Sequence, residues 1–293
     1  MLELSQDREN WRLGYGGDTL NTAIHLARLG MEVGYLTAIG SDPLSAGLVA
    51  DWRAEGLDTS LLLTHPQRTT GLYAVSTDPH GERRFAYWRD TSAVRELFTL
   101  DGVDRAMSNC DSVDLFGFSL ISLAILPDEG RKTLLDLASL VRANGGHVMF
   151  DGNYRARLWS CASEASHWRD RAIAIATIGL PTLEDEVALS LPDDPQAVAA
   201  HWQQLGCAET VVKLGADGCL LPNGTTVPPP KVLQPIDTSG AGDAFNAGYL
   251  AARLAGVNMH EAALRGHELA GWCVMRSGAI PPRDATAPYS PAD

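Results

Sequence analysis

Near its C-terminal end the chain reads Asp237-Thr238-Ser239-Gly240-Ala241-Gly242-Asp243 and runs directly into Ala244-Phe245-Asn246-Ala247-Gly248-Tyr249-Leu250. These residue types in this order suit phosphoryl transfer. Two glycines and an alanine let an anion approach the backbone closely. They also open an apolar-periodic helix whose first N–H groups have no partner within it. Asp243 places one carboxylate in that positive helix end. The dipole is expected to keep it ionised, as suits a base that accepts a proton from an attacking hydroxyl. The spacing alone also admits a plainer reading, a glycine-rich turn with Asp243 as a first-turn charge.

Three other segments have the character of loops around a ligand. Gly16-Gly17-Asp18-Thr19-Leu20-Asn21 places backbone and polar groups at a helix start, where Asp18 or Thr19 could instead serve as a cap. Asp151-Gly152-Asn153-Tyr154-Arg155-Ala156-Arg157 follows a strand and gathers two arginines, or is a solvated charged loop. Val211 to Gly218 passes from a strand into a glycine turn whose backbone could lie against a nucleotide. The sequence has no G-x-x-x-x-G-K-[ST], H-R-D or D-F-G, which excludes P-loop and protein kinases, and no H-E-x-x-H or G-x-S-x-G.

The elements that must position these loops alternate. After strand and turn over the first fifteen residues, a helix of period Leu20, Ala23, Ile24, Ala27 ends at Gly30, and Val33 to Ile39 reads as a strand. Between Leu57 and Arg89 the pattern turns to strands at Leu61-Leu62-Leu63, Gly71 to Ser76 and Arg83 to Trp88, with Pro79-His80-Gly81 as a hairpin turn. This stretch reads as a small β flap. From residue 90 strands and helices alternate again to a last helix at His260 to Arg276, and Pro288 to Asp293 reads as a frayed tail. The alternation predicts an α/β fold with a largely parallel sheet, helices on both faces and ligands at the carboxyl ends of the strands.

Composition narrows the partners. A net charge of -13 without a Lys/Arg cluster argues against nucleic acid. Five scattered cysteines without a C-x-x-C pair favour reduced thiols in the cytoplasm. The polar N-terminus does not read as a signal peptide, and the longest apolar run, Leu115 to Leu126, is too short to cross a bilayer.

Gly16, Gly17 and Asn21 as G-G-x-x-x-N, with D-T-x-G-A-G-D about 220 residues later, resemble the two signatures of the ribokinase-like (PfkB) carbohydrate kinases. Gly71-Leu72-Tyr73, Tyr87-Trp88-Arg89, Ser122 to Leu126, Asn153 to Trp159 and Gly278-Ala279-Ile280 are similar to the branch acting on 2-dehydro-3-deoxygluconate. The resemblance implies a three-layer α/β/α sheet with a small β-sheet lid. The catalytic domain would take 16–56 and 91–287, the lid 1–15 and 57–90, and the tail 288–293. It implies Asp243 as general base and the amides of Gly240, Ala241 and Gly242 as an anion hole. Lys213, Gly215, Ala216, Asp217 and Gly218 would border ATP, with Asn153 and Arg155 near its phosphates. Glu186 resembles the glutamate of an N-x-x-E motif that serves Mg2+, with Leu183 in place of the asparagine.

Gly16, Gly17, Asn21, Tyr73, Tyr87, Arg89 and Arg155 match substrate positions. In a protein this acidic, a sugar carboxylate needs local arginine, whose fork matches it bidentately. The expected reaction is phosphorylation of a sugar acid on its terminal hydroxyl. A neutral-sugar kinase of the fructokinase or ribokinase kind, or a catalytically silent sugar-binding protein, are the alternatives. The expected assembly is a homo-oligomer joined through the lid. Family members begin with an apolar strand ahead of the segment matching Met1-Leu2-Glu3-Leu4-Ser5. The comparison thus implies a start assigned too late or a shortened chain, and a sheet lacking an interior strand.

Overall fold

The structure, a computed structural model, describes residues 1–7, 10–77 and 83–289. Four parallel strands form the centre of the body, in the order Glu209–Thr210, Ile178–Gly179, His147–Asp151, Leu115–Ser119. His147–Asp151 is apolar on both faces, as a strand covered by helices on each side must be. Its Phe150 stacks on Trp202 with ring centroids 5.5 Å apart, and both are fully buried. Truncating either to alanine would cost about 3–5 kcal/mol, and this packing fixes where Asp151, the next residue, leaves the sheet.

The lid is a four-stranded sheet ordered Asn10–Tyr15, Leu2–Asp7, Leu72–Thr77, Arg83–Trp88. Its register sets Glu3 opposite Tyr73 and Tyr73 opposite Tyr87, so these three share one face. The stretch at Leu61-Leu62-Leu63, expected in the lid, belongs to the body. Leu62–His65 pairs in parallel with Thr37–Gly40, and Leu57–Asp58 with Val33–Gly34. The reason is burial, since Leu61 packs with Cys110 and with Ala106 and Leu137 of two body helices. The Pro79-His80-Gly81 turn lies outside the described residues.

Leu115–Ser119 and Thr37–Gly40 lie in separate sheets, and a cavity of about 490 Å3 stands between them. Residues 33–39 line one side and residues 112–118 the other, with Met1 and Asp18 also bordering it. The chain end is not frayed at Tyr289, whose hydroxyl meets His25 Nδ1 at 2.8 Å and whose ring lies under Arg28. Residues 290–293 lie outside the described residues. Among the described residues no helix is long and apolar enough to cross a membrane.

Candidate active site

Helix Asp18–Arg28 buries Leu20, Ala23 and Ile24 and packs against helix Ala241–Leu254. This packing brings the two glycine-bearing helix starts together. Asn21 Nδ2 donates to Asp243 Oδ2 at 2.8 Å across 222 residues of sequence, and Thr22 Oγ1 donates to the Asp243 carbonyl at 3.3 Å. Gly240, the N-cap, sits at φ 70°, and a Cβ there would stand 2.6 Å from the Cβ of Ala279. The turn therefore requires glycine. Asp237 clamps it from the other side, accepting from the amides of Ser239 at 2.8 Å and Gly278 at 2.7 Å. The amides of Gly240 and Gly242 have no acceptor among the described residues. That of Ala241 points back to the Thr238 carbonyl at 3.3 Å, so it is less free than expected.

The charge state of Asp243 also differs from expectation. Burial, reinforced by the nearby Asp18 and Asp151, pushes its carboxyl up to about 8, against the opposing pull of Asn21 and Lys213. Desolvation thus outweighs the helix dipole, whose effect on a side chain is usually worth no more than about 2 kcal/mol. Asp18 is also raised, chiefly by burial. It is no cap, for its Oδ2 accepts from Ser119 Oγ at 2.5 Å and Asn153 Nδ2 at 3.3 Å. Lys213 Nζ is held by Asp151 Oδ1 at 3.2 Å and Asn246 Oδ1 at 3.1 Å, and Asn246 Nδ2 donates to Asp151 Oδ2 at 2.9 Å. The ammonium lies 3.5 Å from where a Cβ on Gly242 would stand, beside the helix start.

The lid closes the other side. Tyr73 donates its hydroxyl to Glu3, directly above Gly16, where a Cβ would stand 2.4 Å from that oxygen. A side chain there would have to displace the Tyr73 hydroxyl. Tyr73 and Tyr87 stack at 6.0 Å, and the Arg89 guanidinium lies 4.4 Å from the Tyr87 centroid. Gly17 caps the first helix at φ 145°. Arg155 Nη1 donates to the Tyr154 carbonyl at 2.6 Å and to Asp185 Oδ1 at 3.4 Å. Gly215, Ala216 and Asp217 form a short 3-10 turn that ends at Gly218.

Glu186 is fully buried, and its Oε2 accepts from Arg169 Nη1 at 2.9 Å. Its Oε1 has no partner among the described residues and faces Gly152, 3.0 Å from where a Cβ would stand. Burial pushes this carboxyl up to about 7. Among the described residues no group of three or more His, Cys, Asp or Glu side chains forms a metal cage.

Several site residues escaped the sequence reading. Asn246 lies one helical turn after Asp243, a spacing that puts both on one face, and Asp151 ends a buried strand; both signals were present in the sequence. Asp18, Ser119 and the contact of Arg157 with Tyr87 required the packing of separate segments.

A buried carboxylate, a partner amide and free helix-start N–H groups at the carboxyl ends of a parallel sheet, beneath a β lid, define a kinase of small molecules. The chain belongs to the pfkB carbohydrate kinase family, whose profile matches residues 2–286. It is 41% identical to the 2-dehydro-3-deoxygluconokinase of Escherichia coli over 97% of this chain and 96% of that protein. With the 2-dehydro-3-deoxygluconokinase of Dickeya dadantii the identity is 39%, over 97% and 95%. The fold is similar to that of aminoimidazole riboside kinase from Salmonella enterica, crystallised with aminoimidazole riboside and an ATP analog. The TM-score is 0.80 at 27% identity, covering 95% of this chain and 92% of that one. The ribokinase-like α/β fold expected from the sequence is therefore the fold observed.

Proposed function

We propose that this chain transfers the γ-phosphoryl group of ATP to the terminal hydroxyl of 2-dehydro-3-deoxy-D-gluconate, giving ADP and the 6-phospho compound. The observation that carries the reading is the 2.8 Å contact of Asn21 with Asp243 beside the free amides of Gly240 and Gly242. Asp243 takes the proton of the attacking hydroxyl as its oxygen bonds to the γ-phosphorus and the bond to the ADP oxygen breaks. A carboxylate whose pKa sits near working pH is well matched to that task. The Gly240 and Gly242 amides, with Lys213 beside them, stabilise the charge on the transferring group, which needs positioning more than covalent chemistry. Gly16, Gly17 and Asn21 hold the sugar, with Tyr73, Tyr87 and Arg89 closing over it. Asn153, Arg155 and the turn at Gly215 to Gly218 border the nucleotide. Mg2+ fits as a hydrated ion rather than a caged one, because the orphaned Oε1 of Glu186 can accept from a bound water. When bound with ATP, it neutralises phosphate charge.

The lid comprises 2–15 and 72–88 in this reading, and the remainder is the catalytic body. Trp11, Leu13 and Trp88 fall on the lid face opposite Tyr73 and are exposed, which supports pairing of two copies through the lid. Four of the five free cysteines are buried thiols, in keeping with the cytoplasm. The test is product analysis by 31P NMR. A phosphomonoester coupled to the C6 protons is expected, and phosphate on any other carbon would overturn the assignment.

A further inference from the structure

The Gly240 turn is packed against Ala279, for a Cβ on Gly240 would stand 2.6 Å from the Ala279 Cβ and 3.0 Å from its carbonyl oxygen. Asp237 stitches the two segments together, accepting from the Gly278 amide at 2.7 Å. Ala279 is held in turn by His25, fully buried on the helix Asp18–Arg28. His25 Nε2 lies 3.0 Å from the Ala279 carbonyl oxygen, and Nδ1 lies 2.8 Å from the Tyr289 hydroxyl. A carbonyl can only accept, so Nε2 carries the proton. Burial pushes the imidazole down to about 4, so the ring is neutral at working pH and Nδ1 accepts from Tyr289. Arg28 Nη1 meets the Tyr289 oxygen at 3.3 Å and donates to the Pro281 carbonyl at 2.7 Å. Arg28 is itself fixed by both oxygens of Glu55, at 2.7 and 2.6 Å. The donors therefore run in one direction, from Arg28 to Tyr289 to His25 to the Ala279 carbonyl. The Cys273 thiol offers that carbonyl only a weak donor, at 3.5 Å. Asn21 and His25, four residues apart, share one face of the helix. One holds Asp243, and the other holds the segment that backs the Gly240 turn.

Resting on the reading above, we propose that His25 and Tyr289 are positioning residues for phosphoryl transfer. Their chain of hydrogen bonds holds Ala279 against Gly240 and thereby fixes the direction in which the free amides of Gly240 and Gly242 point. Both act on the anion site through Ala279 rather than by contact with the transferring group. The test is steady-state kinetics of His25→Asn, His25→Gln and Tyr289→Phe. A glutamine amide reaches where Nε2 stands and still donates to the Ala279 carbonyl, whereas asparagine reaches only as far as Nδ1 and leaves that carbonyl to Cys273. A displaced anion site predicts kcat lowered about 10- to 100-fold in His25→Asn. His25→Gln should recover to the level of Tyr289→Phe, about 2- to 10-fold below the parent, the effect of losing one neutral hydrogen bond. The KM values for ATP and the sugar acid should change less than about threefold in all three. Tyr289→Phe keeps the ring that packs edge-on against Trp272, so it remains folded and decides the matter if a His25 variant does not fold. An unchanged kcat in Tyr289→Phe, or equal losses in His25→Asn and His25→Gln, would overturn the proposal. The parent enzyme is the control for the functional reading. If it does not turn over the sugar acid, that reading fails; if it does and kcat is unmoved in Tyr289→Phe, only the positioning role fails.

Discussion

Replacing Asp243 by asparagine should sharply lower turnover and, above neutral pH, make the protein more stable. The folded carboxyl is held up to about 8, above its ordinary 3.8, because it is buried among other acids. The folded chain therefore keeps a proton that the unfolded chain releases. The associated stability is fully present below pH ~4 and is lost as pH rises toward about 8. Between pH 5 and 8 the loss is about 4 kcal/mol, at ~1.36 kcal/mol per pH unit. Asparagine is neutral throughout and its Oδ1 can still accept from Asn21. Relative to the parent, Asp243→Asn should thus gain about 8 °C in Tm between pH 5 and pH 8, at ~2 °C per kcal/mol for a chain of this size. The loss of the base should lower kcat by roughly 100- to 10,000-fold. Calorimetry of both proteins across this pH range, with kcat measured in parallel, decides the point. A Tm difference that stays flat or shrinks with rising pH would show that Asp243 is ionised in the fold and that the burial argument is wrong.

Asp18 is the nearby charge that most raises Asp243, so Asp18→Asn should move the rising limb of the kcat/KM profile from about pH 8 to lower pH; an unmoved limb would remove Asp18 from the account. Gly240→Ala must place a Cβ 2.6 Å from Ala279 at φ 70°, and a loss of about 1–2 kcal/mol in denaturant unfolding is expected together with a fall in kcat. Unchanged kcat in a folded Gly240→Ala protein would mean that the turn does not shape the anion site. The Met1 ammonium is buried and lowered to about 6, so stability should drop as pH falls from 8 through 6. Acetylating Met1 should remove that slope in thermal melts, and a slope that persists would assign it elsewhere.

The turn proposed as catalytic was legible because its chemistry is local. Glycines at a helix start followed by one acid carry the same meaning wherever the chain places them, and Gly16, Gly17 and Asn21 have that property too. Asp243's protonation was not legible, because it sums the burial and charges of Asp18 and Asp151, which are remote in sequence. The lid boundary failed at Leu61-Leu62-Leu63 because an apolar run specifies a strand without specifying its partner; helix packing around Leu61 decided that. The partners of Arg155 and Arg157, Asp185 and Tyr87, come from segments remote in sequence, so only the packing reveals them. The ordered Tyr289 was hidden for the same reason, since its partners His25 and Arg28 lie at the other end of the chain.

The most direct measurement is an ATP-consumption assay of the purified chain with 2-dehydro-3-deoxygluconate, 2-dehydro-3-deoxygalactonate, fructose and ribose, with Asp243→Asn as control. Turnover of 2-dehydro-3-deoxygluconate, with little on the two neutral sugars and its loss in Asp243→Asn, is the result predicted. Turnover of the neutral sugars alone, or undiminished activity in Asp243→Asn, would contradict the account.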